Sequence, residues 1–202
     1  MPASKPDKPK RKPRATSPEQ EEKRHEDIRR VVLDLVADRG VEGVTIDAIA
    51  SAAQASKQTL YKKWATKDEL IRDAINASFE GARPGDPGDH GSLKVELKLI
   101  LDSAATMLRA HRRLIIALID GAQRDASVMA IMRQETRDNY RDALQRPLKR
   151  AIARGEIGPE TDLNLIPDVA LPVMLHRAML NEMIDERVVN YLLEEVVMRL
   201  VR

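Results

Sequence analysis

With 202 residues, 43% hydrophobic and 33% charged, the chain has globular composition and room for one fair-sized domain or a small domain joined to a larger one. It has no cysteine and its four histidines (His25, His90, His111, His176) form no ligand-spaced cluster; disulfides and thiolate nucleophiles are excluded, and neither a metal nor a cofactor is expected. No apolar run approaches the ~18 residues of a membrane span, and no apolar segment follows the charged N-terminus, so the expectation is a cytoplasmic protein without membrane contact.

The formal net charge of +2 is unevenly spread. Lys5, Lys8, Lys10, Arg11, Lys12 and Arg14 face only Asp7 in residues 1–18, whereas residues 19–80 carry a net −3 and residues 81–202 none. Prolines interleaved with these bases leave nothing apolar to bury, so residues 1–18 read as a disordered basic arm. Such an arm either solubilises the chain or follows the phosphates of a bound duplex. A first helix is expected from Ser17 to Arg39: Ser17 can cap it, Pro18 suits its first position, and Ile28, Val31, Val32, Leu35 and Val36 form one apolar stripe. Gly40 ends it.

Two short helices follow. Thr45 is a credible cap for the first, which buries Ile46 and Ile49; Gln54-Ala55 makes a tight turn; Ser56 caps the second, Lys57-Gln58-Thr59-Leu60-Tyr61-Lys62, with Leu60 facing inward. A fourth helix, Lys67 to Phe79, precedes a breaker-rich linker at 81–91. Longer helices are expected at Ser92–Arg109, Arg112–Gly121, Ser127–Arg154, Asn164–Glu182 and Arg187–Val201, with Pro147 bending the third and Pro167 and Pro172 marking or kinking the fourth.

Two short helices across a tight turn, packed on a longer one, make a helix-turn-helix. Its second helix must be short, polar outside and anchored by an inner apolar residue, so that its first residues can enter a major groove. Leu60 serves as anchor while Lys57, Gln58 and Thr59 face outward. Lysine suits the acceptor edge of guanine, glutamine pairs bidentately with adenine, and a threonine methyl suits thymine. Lys62, Lys63 and Lys67 flank this helix where phosphates would pass. Singly, each lysine reads as solvated surface and Trp64 as core; the joint spacing carries the argument.

The stretch VEGVTIDAIASAAQASKQTLYKKWATKDELIRDAI resembles the DNA-binding domain of the TetR (tetracycline-repressor-like) family, with Gly40, Thr45, Ile49, Ala50, Ser56, Lys57, Leu60, Tyr61, Trp64, Lys67 and Leu70 in register. The resemblance implies phosphate contacts from Thr45, Tyr61 and Lys67 and base-reading positions at Lys57, Gln58 and Thr59; Ser56 and Lys62 complete the expected DNA-binding set. Where the family usually has Gly-Val in the turn, this chain has Gln54-Ala55.

The last two expected helices are apolar nearly all round, from Leu165, Ile166, Leu171 and Met174 to Leu192, Leu193 and Val197, and need cover on every side. A four-helix bundle across a two-fold axis supplies it, so a homodimer through these helices is expected. In the family these C-terminal helices also bind an inducer. Candidate lining residues here are Met107, His111, Met129, Met132, Tyr140, Met174 and His176, and with so few aromatics the expected ligand is a small apolar or amphipathic molecule.

The expected architecture is all-α: the arm at 1–18, a three-helix DNA-binding domain at 19–66, and a larger helical ligand-binding and dimerisation domain at 67–202. The expected function is a repressor released from a palindromic operator on double-stranded DNA by a small molecule. The alternative is a DNA-binding protein of the same fold that takes no ligand and acts in chromosome organisation or division. No nucleophile–base set or phosphate loop appears, so an enzyme is not expected.

Overall fold

The computed structural model describes residues 17–80, 83–134 and 139–201; most of the basic arm, residues 1–16, lies outside them. Among the described residues every regular element is a helix. They are α1 (Pro18–Arg39), α2 (Ile46–Ala52), α3 (Lys57–Lys63), α4 (Lys67–Glu80), α5 (Leu93–Ala110), α6 (Arg112–Ala122), α7 (Ala126–Arg133), α8 (Tyr140–Ala153), α9 (Leu165–Met179), α10 (Glu186–Tyr191) and α11 (Met198–Leu200), with a π-helical stretch, Leu192–Val197, joining the last two. None is long and apolar enough to cross a membrane.

Local chemistry sets many of the starts. Ser17 Oγ accepts from Gln20 N–H while the Gln20 side chain accepts from Ser17 N–H, a reciprocal cap for α1. Asp125 caps α7, whose first residue Ala126 lies one ahead of the expected start, and Asp185 caps α10. The ends are just as local. Gly40 closes α1 at φ 71° and ψ 168°, a region essentially restricted to glycine. At the end of α9, Asn181 turns left-handed, and Glu182 N–H and Asn181 N–H reach back to Arg177 O and Ala178 O. This Schellman arrangement stops the helix three residues short of the expected Glu182.

The helix expected to run unbroken from Ser127 to Arg154 is described only at its two ends, α7 and α8, because residues 135–138 lie outside the described set. Pro147 is buried inside α8, and Pro172 sits inside α9. Pro167 falls in the first turn of α9, where its missing N–H has no intrahelical partner to lose. The final helix, expected as regular from Arg187, changes to π geometry where Leu192, Leu193 and Val197 are all buried.

One continuous hydrophobic cluster runs through the molecule. The stripe of α1 (Ile28, Val32, Leu35, Val36) is buried, and α1 packs on both α4 and α6. Gly121 permits the α6 approach: a Cβ there would lie 2.9 Å from Val41 Cγ2. Asp38 and Glu42 at this junction pair with Arg113 and Arg124.

The linker is held rather than loose. Glu96 on α5 is fully buried, with Oε2 accepting from Arg150 Nε at 2.8 Å and Oε1 from Arg154 Nη1 at 3.1 Å. The same arginines, at the end of α8 and just past it, bind Asp86, Gly88 O and Asp89 of the linker. Glu156 accepts from Leu93 N–H through both carboxylate oxygens, at 2.9 and 3.0 Å, and so caps α5 from 63 residues away.

Candidate nucleic-acid interface

Thr45 Oγ1 accepts from Ala48 N–H at 3.1 Å and starts α2. α2 then ends in a second Schellman turn: Gln54 adopts φ 49°, and Ala55 N–H and Gln54 N–H bind Ala50 O and Ser51 O. This left-handed residue is the one at which the resembled family usually carries glycine. Arg24 of α1 donates to Gln54 O at 3.4 Å. Ser56 Oγ then accepts from Thr59 N–H at 3.1 Å and starts α3, and its hydroxyl lies 2.8 Å from Thr59 Oγ1.

α3 is anchored from beneath. Leu60 is fully buried, and Trp64, capping the helix C-terminus, is 3% exposed. The indole N–H donates to Asp73 Oδ2 on α4 at 2.8 Å, and the same oxygen accepts from Arg29 Nε of α1 at 2.8 Å. Burial raises the Asp73 carboxyl, but these two hydrogen bonds outweigh it and leave its pKa below the ordinary value. The His25 ring stands edge-on to the indole at 5.3 Å. One buried-end network thus ties α3 to both α1 and α4.

The outer surface of α3 presents Lys57, Gln58, Tyr61 and Lys62, all exposed, while Thr59 is half-buried beside Ser56. Thr45 and Ser56 are exposed at the two helix starts, and Lys67 is half-buried at the start of α4. Of the eight expected contact residues, Ser56, Lys57, Gln58, Thr59, Tyr61 and Lys62 therefore lie on α3 or at its cap, Thr45 caps α2 and Lys67 opens α4. The lysines are not bare: Lys57 Nζ lies 2.5 Å from Asp47 Oδ1 and Lys62 Nζ 3.8 Å from Glu21. Sequence reading missed both carboxylates, because each lies in a different helix from its lysine.

The pocket candidates divide. Met107, Met132 and Tyr140 line a small apolar void of about 20 Å³. Sequence reading did not single out its other walls, notably Phe79 of α4 and Leu171 and Leu175 of α9, because in a helical pattern they read as plain core. Through Met132, Leu171 and Leu175 the void adjoins a wider cleft of about 510 Å³, which takes in His176, Arg141 and Asp168. His176, one of the expected lining residues, is exposed there. His111 closes α5 through its backbone N–H, Met129 is half-buried on α7 and Met174 fully buried in α9; these three line neither space.

A short, polar, N-capped helix, fixed by one leucine and one tryptophan behind a tight turn, defines a helix-turn-helix DNA-binding protein. Residues 28–74 match the family model described as bacterial regulatory proteins, tetR family, and residues 87–196 match the tetracyclin repressor-like C-terminal domain. The chain belongs to this family and is a DNA-binding transcriptional regulator. It is 30% identical over 179 residues to the DNA-binding transcriptional repressor TetR of Mycobacteroides abscessus, covering 85% of this chain and 90% of that one. Among solved structures, Salmonella enterica GusR superposes with a TM-score of 0.73 at 19% identity, over 93% of this chain and 98% of the other. The Bacillus subtilis regulator FadR in complex with stearoyl-CoA superposes with a TM-score of 0.63 at 17% identity, over 87% and 96%.

Proposed function

We propose that the chain is a homodimeric repressor that reads a palindromic operator with α3 and leaves it when a small apolar or amphipathic molecule enters the helices beyond residue 67. The observation that carries this reading is the α3 surface: Lys57, Gln58 and Tyr61 project outward while Leu60 and Trp64 hold the helix at a fixed aim. In this reading Lys57, Gln58 and Thr59 meet base edges, and Thr45, Ser56, Tyr61, Lys62 and Lys67 meet phosphates, which position the protein without reading sequence.

The dimer reading draws on apolar residues left uncovered on the last helices and in the turn between α9 and α10: Val173, Leu180, Met183 and Tyr191 are between 41% and 73% exposed. Pairing two copies there removes apolar surface from water and sets two copies of α3 on one face of a duplex, where half-sites lie ~34 Å apart. The ligand reading draws on the void and its adjoining cleft, and on the acyl-CoA seen in the Bacillus subtilis neighbour.

Selection of bound duplexes from a random library tests the reading. A palindrome is expected, and in Gln58→Ala the preferred base at one position of each half-site changes, with a loss of about 1–3 kcal/mol at that site. Recovery of no motif by folded, dimeric protein sinks it. The ligand-free alternative draws on the small size of the void, about 20 Å³, room for roughly one water.

A further inference from the structure

The pairing of Lys57 with Asp47 is unusual for a helix that must meet a polyanion. Lys57 is the first residue of α3 and Asp47 the second of α2, and their charged atoms lie 2.5 Å apart. Both side chains are exposed, at 55% and 74%, so packing does not force them together. The hydrogen bond to Asp47 raises the Lys57 ammonium above the ordinary lysine value. Exposed ion pairs contribute little to folding. A carboxylate here also weakens general attraction to DNA, so its effect falls on how Lys57 is used.

A lysine ammonium on its flexible four-carbon stem is a point charge that any nearby phosphate can attract, and such contacts carry no sequence information. We propose that Asp47 is a specificity-determining residue: by holding Lys57 Nζ, it favours contact with a base edge over contact with a phosphate. The ammonium has three donors, so it can keep Asp47 and still offer two to the O6 and N7 acceptors of guanine. A phosphate beyond reach of the Nζ held at Asp47 can be met only by breaking the pair, which leaves Asp47 beside the DNA backbone where its charge is repelled. The inference rests on α3 being the base-reading helix.

The experiment measures full-length protein binding to the selected duplex and to an unrelated duplex at one salt concentration, for Asp47→Asn, Lys57→Ala, the double variant and Asp47→Glu. Removing one rim carboxylate should tighten binding to the unrelated duplex by roughly 3–10-fold while the selected duplex changes less, so the specificity ratio falls. Reselection with Asp47→Asn should show a relaxed preference at one position per half-site, and Asp47→Glu, which keeps the carboxylate, should restore it. In the Lys57→Ala background, Asp47→Asn should shift both duplexes by the same factor. Equal shifts with Lys57 present overturn the proposal, since Asp47 then acts only as diffuse charge. If Lys57→Ala itself leaves the preferred sequence unchanged, base reading from the start of α3 falls, and this proposal with it.

Discussion

Gln54 occupies the left-handed position of the turn between α2 and α3 at φ 49°, a conformation that costs a side-chain-bearing residue roughly 1–2 kcal/mol and glycine almost nothing. The same Schellman geometry ends α8 at Gly155 and α9 at Asn181, residue types that tolerate it better. Gln54→Gly is therefore expected to stabilise the protein by about 1 kcal/mol, less whatever the looser unfolded chain takes back. Urea denaturation measures this; a lower midpoint shows that any relief in the turn is smaller than the entropy the unfolded chain regains. The position was legible in sequence as a departure from the glycine expected there. Thr45 and Ser56 were legible for the same local reason, since a cap involves residues only three apart. The Trp64–Asp73–Arg29 bonds were not, because they depend on how α1, α3 and α4 pack.

At the scale of elements, α8 links two parts of the molecule. Its first residue, Tyr140, lines the void, and Arg150 and Arg154 near its other end grip Glu96 and the linker. Both arginines lie 54 or more residues from Glu96. Nothing in their spacing ties them to a carboxylate so far back or to the breaker-rich linker, and only the fold brings them together. Glu96→Ala is expected to cost about 3 kcal/mol, at the low end for breaking a buried pair because the arginines keep Asp86, Asp89 and some solvent. Equilibrium unfolding checks it, and a loss below about 1 kcal/mol would mean that the linker carboxylates alone satisfy the arginines.

For the whole molecule, acid should act through several carboxylates at once. The Arg150 hydrogen bond holds Asp86 below the ordinary value, the Gly91 N–H does so for Asp89, Arg124 for Asp120 and the Ser127 hydroxyl for Asp125. A depressed folded-state pKa contributes stability that is fully present above the unfolded value of about 3.9 and is lost as pH falls through the folded one. The urea midpoint is expected to hold from about pH 7 to pH 5 and to drop below about pH 4. A midpoint unchanged at pH 3 would show that these contacts do not outlast solvent competition.

The contact between α1 and α6 has a consequence for modularity. Glycine at position 121 lets α6 press against Val41, and Arg113 and Arg124 reach across to Asp38 and Glu42. α1, which carries α3 through the Arg29–Asp73–Trp64 bonds, therefore also packs against the helices beyond residue 93. A chimera joined in the linker at 83–91 would part α1 from the surface that shapes it. If α3 reads the operator as proposed, exchange of DNA specificity with a relative is better made by replacing its outward residues than by transplanting the first four helices as a block.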